Sequence, residues 1–248
     1  MERRVSVSVI MPAYNAEKYI AKAIESVLCQ DVPLELFVID DCSADRTAEI
    51  AGRYADGSRV VLIRNSRNLG VAESRNTGIR HAAGSYIAFL DADDWWAAGK
   101  LKAQCSRLKE SGTVLCCTAR ELMDMDGNPQ GKIIGVKEEI TYPMLLRTNS
   151  IPCSSVVMET RVAREFYMCH DELHEDYILW LQVLQKYGKA CGINEPMLKS
   201  RMSEGGKSRN KLKSARMQFG VYRYLGFGFL RSCYYFLQYA VNGIRKYS

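Results

Sequence analysis

The sequence predicts an α/β protein with a mainly parallel central sheet, flanked by helices and followed by a C-terminal helical tail. Short apolar runs typical of buried strands alternate with segments whose apolar residues recur at helical spacing, and strands separated by helices pair in parallel. Polar residues follow most of these strands. The composition, 47% hydrophobic and 25% charged, is that of a globular protein with a substantial core.

The expected strands are short and mostly apolar. The segment LELFVI at 34–39 is almost continuously apolar, as in a strand that is covered on both faces. We expect strands at 5–11, 34–39, 60–63, 86–90, 113–117 and 151–158.

The expected helices lie between these strands. In the first of them Ile20, Ile24 and Val27 share one face. Ser43 or Asp45 can cap the second. We expect helices at 17–30, from that cap to 54, at 72–82, at 99–110 and from about 174 to 186.

Cysteine usage and charge indicate a cytoplasmic protein with a basic tail. The nine cysteines are odd in number and include no CxxC pair, which favours reduced thiols over a disulfide framework. The N-terminus shows no apolar signal-peptide core. Residues 200–248 carry a net charge of +9, whereas the whole chain carries +6. The remainder of the chain is therefore mildly acidic.

The residues that could bind a ligand or take part in catalysis cluster where the strands end. Ligands of parallel α/β sheets bind at the carboxyl ends of the strands, so these residues are expected to meet at one edge. They are Pro12, Tyr14 and Asn15 after the first strand, Asp40 and Asp41 after the second, Gly70, Arg75 and Asn76 after the third, and Asp91, Asp93 and Asp94 after the fourth.

This edge offers acids rather than a glycine cradle for phosphate. Neither GxGxxG nor GxxxxGK[ST] is present at the strand ends. Asp91 and Asp93 are hard oxygen donors that suit Mg²⁺ or Mn²⁺, and Mg²⁺ typically takes one or two carboxylates and completes its shell with phosphates and water. The sequence therefore predicts a divalent cation that binds a diphosphate.

Five segments, in order and spacing, resemble the family 2 glycosyltransferases of the GT-A fold: VSVIMPAYN, VIDDCSADRT, NLGVAESRNTGI, YIAFLDADDWW and HEDYILWLQ. The resemblance covers roughly residues 5–200. It implies an inverting transfer of a sugar from a nucleotide-diphosphate donor, most often a UDP-sugar. It also implies a catalytic domain at 1–200, with a donor half at 1–117 and an acceptor half at 118–200.

The resemblance assigns roles to individual residues. Donor binding is implied for Pro12, Tyr14, Asn15, Asp40, Asp41, Gly70, Arg75, Asn76, Asp91, Ala92, Asp93 and Arg201. Asp93, with Asp91, is implied as a metal ligand, and Glu175 and Trp95 as acceptor-binding. Arg201 stands in a segment similar to the YR-x-x-x-x-S of the family, continued by Lys207 and Ser208 after Gly205-Gly206, although Ser200 replaces the usual Tyr.

Asp176 is implied as the general base that takes the proton of the acceptor hydroxyl. On its own, a Glu-Asp pair that opens a helix is also explained by the helix dipole. A zinc site at Cys169, His170 and His174 is disfavoured, because no fourth ligand has a convincing spacing.

The tail, 201–248, is rich in aromatic and basic residues, and Gly226 and Gly228 are expected to divide it into two helices. It has no apolar stretch of the ~20 residues that cross a bilayer. Residues 217–248 are expected to contact an anionic membrane surface, with a packed C-terminal cap as the alternative and no nucleic acid expected.

The function predicted on this basis is a metal-dependent glycosyltransferase that acts in the cytoplasm, at the inner face of the membrane. Its expected acceptor is a saccharide or a lipid-linked sugar in surface polysaccharide synthesis, a step inferred by family analogy. The alternatives are a phosphohydrolase or nucleotidyltransferase on a similar sheet, and a non-catalytic module that binds nucleotide-sugars.

Overall fold

The structure, a computed structural model, describes residues 6–169, 171–202 and 211–247. Its strands are β1 (Val7–Ala13), β2 (Leu34–Asp40), β3 (Val60–Arg64), β4 (Tyr86–Phe89), β5 (Trp95–Trp96), β6 (Leu115–Met123), β7 (Pro129–Ile134), β8 (Glu139–Thr141), β9 (Val157–Glu159) and β10 (Lys189–Arg201). Its helices are α1 (Ile20–Leu28), α2 (Thr47–Gly52), α3 (Val71–His81), α4 (Lys100–Ser111), α5 (Tyr142–Arg147), α6 (Thr160–Glu165), α7 (Glu175–Tyr187), α8 (Lys211–Tyr224) and α9 (Phe229–Tyr247).

One sheet runs through the molecule in the order β3-β2-β1-β4-β9-β6-β10-β5, with β7 on β6 and β8 on β10. The predicted parallel block is confirmed, since β1 pairs in parallel with both β2 and β4, and β2 with β3. Strands β6 and β10 form a second parallel pair. The short strand β9 joins the two blocks, antiparallel to β4 and β6. The ends of β1, β2 and β4 therefore lie together at one edge.

The helices cover both faces of the sheet, as the apolar strands require. Along β1, Ile10 faces one hydrophobic core while Val9 and Met11 face the other. Helices α1, α2 and α4 cover the second core, and α3 and α5 to α8 cover the first. Helix α3 approaches β1 closely, because a Cβ at Gly78 would lie 2.5 Å from a methyl carbon of Ile10.

Most predicted elements are confirmed, but the strand expected at 151–158 is wrong over most of its length. Residues Cys153–Ser155 form a single 3₁₀ turn, and only the three residues of β9 are strand. Pro152 has no amide hydrogen for a ladder, and both the amide and the hydroxyl of Ser155 donate to its carbonyl, at 3.0 and 2.7 Å. The apolar residues of this segment predict a strand and give no indication of these local hydrogen bonds.

The tail forms the two predicted helices and packs against the body. Gly226 has a φ of 80° between them. The ring of Tyr222 in α8 is fully buried, and its hydroxyl donates to the carbonyl of Leu146 at 2.8 Å. Tyr239 in α9 lies 6.4 Å, between ring centroids, from Tyr177 in α7. Neither helix, nor any other in the described chain, has the length and apolarity of a membrane span.

Candidate active site

A cleft of about 710 Å³ opens where β1, β2 and β4 end, at the edge that the sequence predicts. Of the residues implied as donor-binding, its lining includes Pro12, Tyr14, Asn15, Asp41, Gly70, Asp91, Ala92 and Asp93. Lining residues that sequence reasoning missed include Tyr19, Asn68, Ser74 and Asp171. The other predicted residues lie around the cleft, and their contacts differ.

Asn15 ties the loop after β1 to the loop after β2. Its φ of 49° is left-handed, a conformation that Asn tolerates better than most residues. Its side-chain oxygen accepts from the amide of Ala44 at 2.9 Å, and its own amide donates to the hydroxyl of Ser43 at 3.0 Å. The neighbouring ring of Tyr14 remains 55% exposed, so it is available to a ligand.

The two acids after β2 have different surroundings. Asp40 is fully buried, accepts from the Arg64 guanidinium at 3.4 Å, and does not line the cleft. Asp41 lines the cleft and accepts from the amides of Leu69 and Gly70, both at 2.9 Å. Asp41 therefore also fixes the loop that leads into α3.

The start of α3 is covered by an acid that no motif indicated. Asp171 accepts from the amide of Ala72 at 2.9 Å. Its other carboxylate oxygen would lie 1.7 Å from a Cβ at Gly70, whose φ is 88°, so this contact requires glycine. Farther along α3, Asn76 exchanges two hydrogen bonds with the backbone of Met168, at 2.7 and 2.9 Å. Asn76 thus joins α3 to the segment that follows α6.

The acids that follow β4 repel one another in a partly desolvated turn. Burial, with a contribution from Asp91, raises the pKa of Asp93 to about 6. Burial, followed by the charges of Asp93 and Asp91, raises the pKa of Asp94 well above its usual range. Asp94 accepts from the amide of Arg201 at 2.9 Å, whereas Asp91 and Asp93 face the cleft.

These two cleft carboxylates fit a divalent cation. Their oxygens are the ligands that Mg²⁺ and Mn²⁺ prefer, and a cation would offset both the burial and the charge of Asp91 that raise the pKa of Asp93. No group of three or more His, Cys, Asp or Glu poised for a metal occurs among the described residues. Two protein carboxylates match a cation that takes its other ligands from a diphosphate and water.

Arg201 and Trp95 form a cationic and aromatic rim beside this turn. The Arg201 Nε donates to the carbonyl of Asp93 at 3.1 Å, and its guanidinium lies 4.4 Å from the ring centroid of Tyr19 and 5.1 Å from that of Trp95. The Lys22 ammonium lies 3.5 Å from the Trp95 centroid. The predicted continuation of this segment, Gly205, Gly206, Lys207 and Ser208, lies outside the described residues.

Arg75 joins the acidic turn to the start of α7. One terminal nitrogen donates to Asp91 at 2.6 Å and the other to Glu175 at 2.8 Å. The arginine side chain is 4% exposed. The two carboxylates are 84 positions apart in the chain, yet one guanidinium holds both.

Asp176, the predicted base, follows Glu175 in the first turn of α7 and is partly exposed. Burial, followed by the charge of the neighbouring Glu175, raises the pKa of Asp176 to about 7. The charge of Arg75 opposes this shift. A carboxyl with a pKa near neutrality is suited to proton transfer. Of the disfavoured zinc ligands, His170 lies outside the described residues.

The family model named glycosyl transferase family 2 matches residues 8–164, more than half of the chain. The chain belongs to this family. This glycosyltransferase is 35% identical over 243 residues to TuaG of Bacillus subtilis (strain 168), a protein named for teichuronic acid biosynthesis, covering 97% of this chain and 96% of TuaG.

A second relative is named in more chemical detail. It is the UDP-Glc:alpha-D-GlcNAc-diphosphoundecaprenol beta-1,3-glucosyltransferase WfgD of Escherichia coli, 37% identical over 246 residues, which are 98% of this glycosyltransferase and 95% of WfgD.

A solved structure shares the fold. The mannosyltransferase PcManGT of Pyrobaculum calidifontis, in complex with GDP-Man and Mn²⁺, superposes with a TM-score of 0.70 at 18% identity over 92% of this chain. The glycosyltransferase described here spans 66% of the length of that structure. The predicted GT-A fold and the predicted transferase class are confirmed.

Proposed function

We propose that this glycosyltransferase moves a sugar from a UDP-sugar to a hydroxyl of a lipid-linked saccharide, with inversion, during the synthesis of a surface polysaccharide. One observation carries the proposal: Arg75 connects the cleft acid Asp91 to the helix that begins with Glu175 and Asp176. Donor-side and base-side groups thus share one site. The names of WfgD and TuaG support the choice of donor and product class.

On the donor side, Tyr14, Asn15 and Asp41 are suited to the nucleoside, since they line the cleft beside the acids. Asp93 and Asp91 would hold Mn²⁺ or Mg²⁺. When bound, such a cation neutralises the diphosphate and makes it a better leaving group. Arg201 lies against the carbonyl of Asp93 and can stabilise the negative charge of the departing diphosphate.

On the acceptor side, Asp176 takes the proton of the attacking hydroxyl, whose oxygen displaces the nucleotide diphosphate from the opposite face of the sugar. General-base catalysis of this kind contributes about 10²- to 10⁴-fold in rate. Glu175 is buried against Arg75, so its proposed role is to orient the start of α7. The proposed role of Trp95, on the rim, is to contact a sugar of the acceptor.

We place the enzyme at the inner face of the membrane through α9. Helices α8 and α9 contain seven Lys or Arg and no Asp or Glu, which is complementary to anionic lipid. The outer face of α9 exposes an apolar stripe at helical spacing. The stripe consists of Leu230, Tyr234, Leu237 and Val241.

The test is a transfer assay with the full chain, Mn²⁺, UDP-glucose and GlcNAc-diphosphoundecaprenol, followed by a panel of other UDP-sugars. Mass spectrometry of the lipid should show one added hexose, with one UDP released per product. Asp176→Asn should lower the rate of transfer by about 10²- to 10⁴-fold, and Asp31→Asn, at an exposed aspartate, should leave it unchanged. UDP release that does not require an acceptor would indicate a hydrolase instead. If no UDP-sugar of the panel gives transfer, the proposal is wrong.

A further inference from the structure

Resting on the proposed function, we propose that Arg75 is a positioning residue, which sets the metal-side carboxylate Asp91 and the base-bearing start of α7 in one fixed relation. Its guanidinium contacts no donor atom in this role. It acts through the two carboxylates that it holds.

The geometry is that of a clamp. The nitrogens Nη1 and Nη2 leave one planar guanidinium in fixed directions and meet Glu175 at 2.8 Å and Asp91 at 2.6 Å. A rigid fork transmits the position of one partner to the other, which the single flexible ammonium of a lysine does not. The clamp spans three separate elements: α3, the turn after β4 and the start of α7.

Burial argues against direct contact with the donor. Arg75 does not line the cleft, and both terminal nitrogens are engaged with carboxylates. Its Nε is buried and has no hydrogen-bond partner among the described residues. Because the unpaired Nε–H is buried and Arg75 is not among the lining residues, this arrangement does not aim the guanidinium at a diphosphate in the cleft.

Stability alone does not account for the clamp. Removing charges from water is costly, and a buried ion pair often adds nothing compared with apolar side chains of the same volume. Here the Arg75 and Glu175 side chains are 4% and 7% exposed, and the buried Nε–H adds a further unsatisfied donor. An arrangement of this kind is explained by the orientation that it imposes on Asp91 and α7.

The experiment compares Arg75→Lys and the double variant Arg75→Met/Glu175→Gln with wild type. The double variant removes the two charges of the buried Arg75–Glu175 pair together, so neither is left without the other, and Asp91 can be solvated because its side chain is 37% exposed. The matched control is Arg80→Met on the same helix, where the arginine is exposed and pairs with Glu73. The readouts are UDP affinity by calorimetry with and without Mn²⁺, kcat and donor KM, and the melting temperature.

We expect the double variant to fold and to lose about 10- to 100-fold in Mn²⁺-dependent UDP affinity, the range seen when a partner of a metal ligand is removed. UDP affinity without metal should be unchanged, donor KM should rise and kcat should fall. Arg75→Lys should recover only part of this loss, and Arg80→Met should match wild type.

The proposal is overturned if the double variant keeps both the UDP affinity of wild type in Mn²⁺ and the kcat of wild type. If the double variant does not fold, the same result in Arg75→Lys overturns it, because lysine retains the charge and loses the fork. A purely structural role would lower the melting temperature and leave donor KM unchanged. If wild type itself shows no Mn²⁺-dependent UDP binding, the proposed function has failed rather than the clamp.

Discussion

Asp93 and Asp176 illustrate at the residue scale how burial prepares a carboxyl for chemistry. Burial is the main cause that raises the pKa of Asp93 to about 6 and the pKa of Asp176 to about 7. A charge that has lost solvation gains from a new partner. For Asp93 we propose that the partner is a cation, and for Asp176 the proton of the acceptor.

Replacing Asp93 tests the first of these partners. Asp93→Asn keeps the size of the side chain and removes the charge that would bind the proposed cation. Mn²⁺-dependent UDP affinity should fall at least as far as when a side chain that holds a metal ligand in place is lost, roughly 10-fold or more. Calorimetry measures this, with Asp31→Asn as the control at an exposed aspartate. An unchanged affinity would remove Asp93 from the metal site.

The pH dependence of transfer tests the second partner. Asp176 must be deprotonated to accept a proton, so kcat should rise through an ionisation near pH 7, from a low plateau at pH 5.5 to a high one at pH 8.5. Asp176→Asn should lower kcat by about 10²- to 10⁴-fold. A wild-type profile that is flat between pH 5.5 and 8.5 would contradict the assignment.

The same pKa predicts a change in stability with a definite sign. Because the folded-state pKa of Asp176 lies above its ordinary value of 3.8, the folded protein binds this proton more tightly than the unfolded chain. The resulting stabilisation is lost as pH rises through 7. Asp176→Asn should therefore raise the melting temperature relative to wild type more at pH 8.5 than at pH 5.5, as calorimetric scans can measure. A larger gain in melting temperature at pH 5.5 than at pH 8.5 would have the opposite sign and would contradict the prediction.

At the scale of elements, the sequence predicts what local patterns determine. The parallel strands and the polar residues after them follow from apolar runs and helical spacing, and their meeting at one edge follows from parallel pairing. Contacts made between distant segments had no such signal. Asp171 reaches Ala72 across 99 positions and Arg75 reaches Glu175 across 100, so only the folded chain reveals the cap on α3 and the clamp.

Helix α9 has two faces with different roles. Tyr235 and Phe236 pack on the core, whereas Leu230 and Leu237 are 82% and 64% exposed. Deleting the tail would also uncover buried residues that it packs against, such as Leu146 and Tyr177, so a truncation would confuse folding with lipid binding. Point substitutions on the exposed stripe leave the tail in place and avoid this difficulty.

Leu230→Ser/Leu237→Ser should weaken binding to vesicles that contain anionic lipid by about tenfold or more per leucine, since burying a leucine is worth about 1.5–3 kcal/mol. Flotation measures the bound fraction, and added salt should lower it for wild type. Ala240→Ser, exposed on the same helix outside the stripe, is the control for the lower helix propensity of serine. Equal flotation of the double variant and wild type would reject lipid binding through this stripe.

At the scale of the whole molecule, the cleft draws on loops after β1, β2, β3 and β4 and on the segment before α7, so a ligand there contacts both the first parallel block and the segment that leads into α7. A ligand that binds only the folded state at 100 times its Kd stabilises by about 2.7 kcal/mol. For a domain of this size that raises Tm by roughly 5–10 °C. The proposed site needs cation and diphosphate together, so UDP with Mn²⁺ should give this shift, and UDP or Mn²⁺ alone a small one.

Two comparisons make that measurement specific to the cleft. UMP with Mn²⁺ should give little shift, because it lacks the diphosphate that shares the cation with Asp91 and Asp93. In Asp93→Asn the shift with UDP and Mn²⁺ should fall to the level of UDP alone, whereas Arg80→Met should keep it. An equal shift in Asp93→Asn would mean that the cation binds outside the acidic turn, because the carboxylate whose pKa burial and Asp91 raise would then not be one of its ligands.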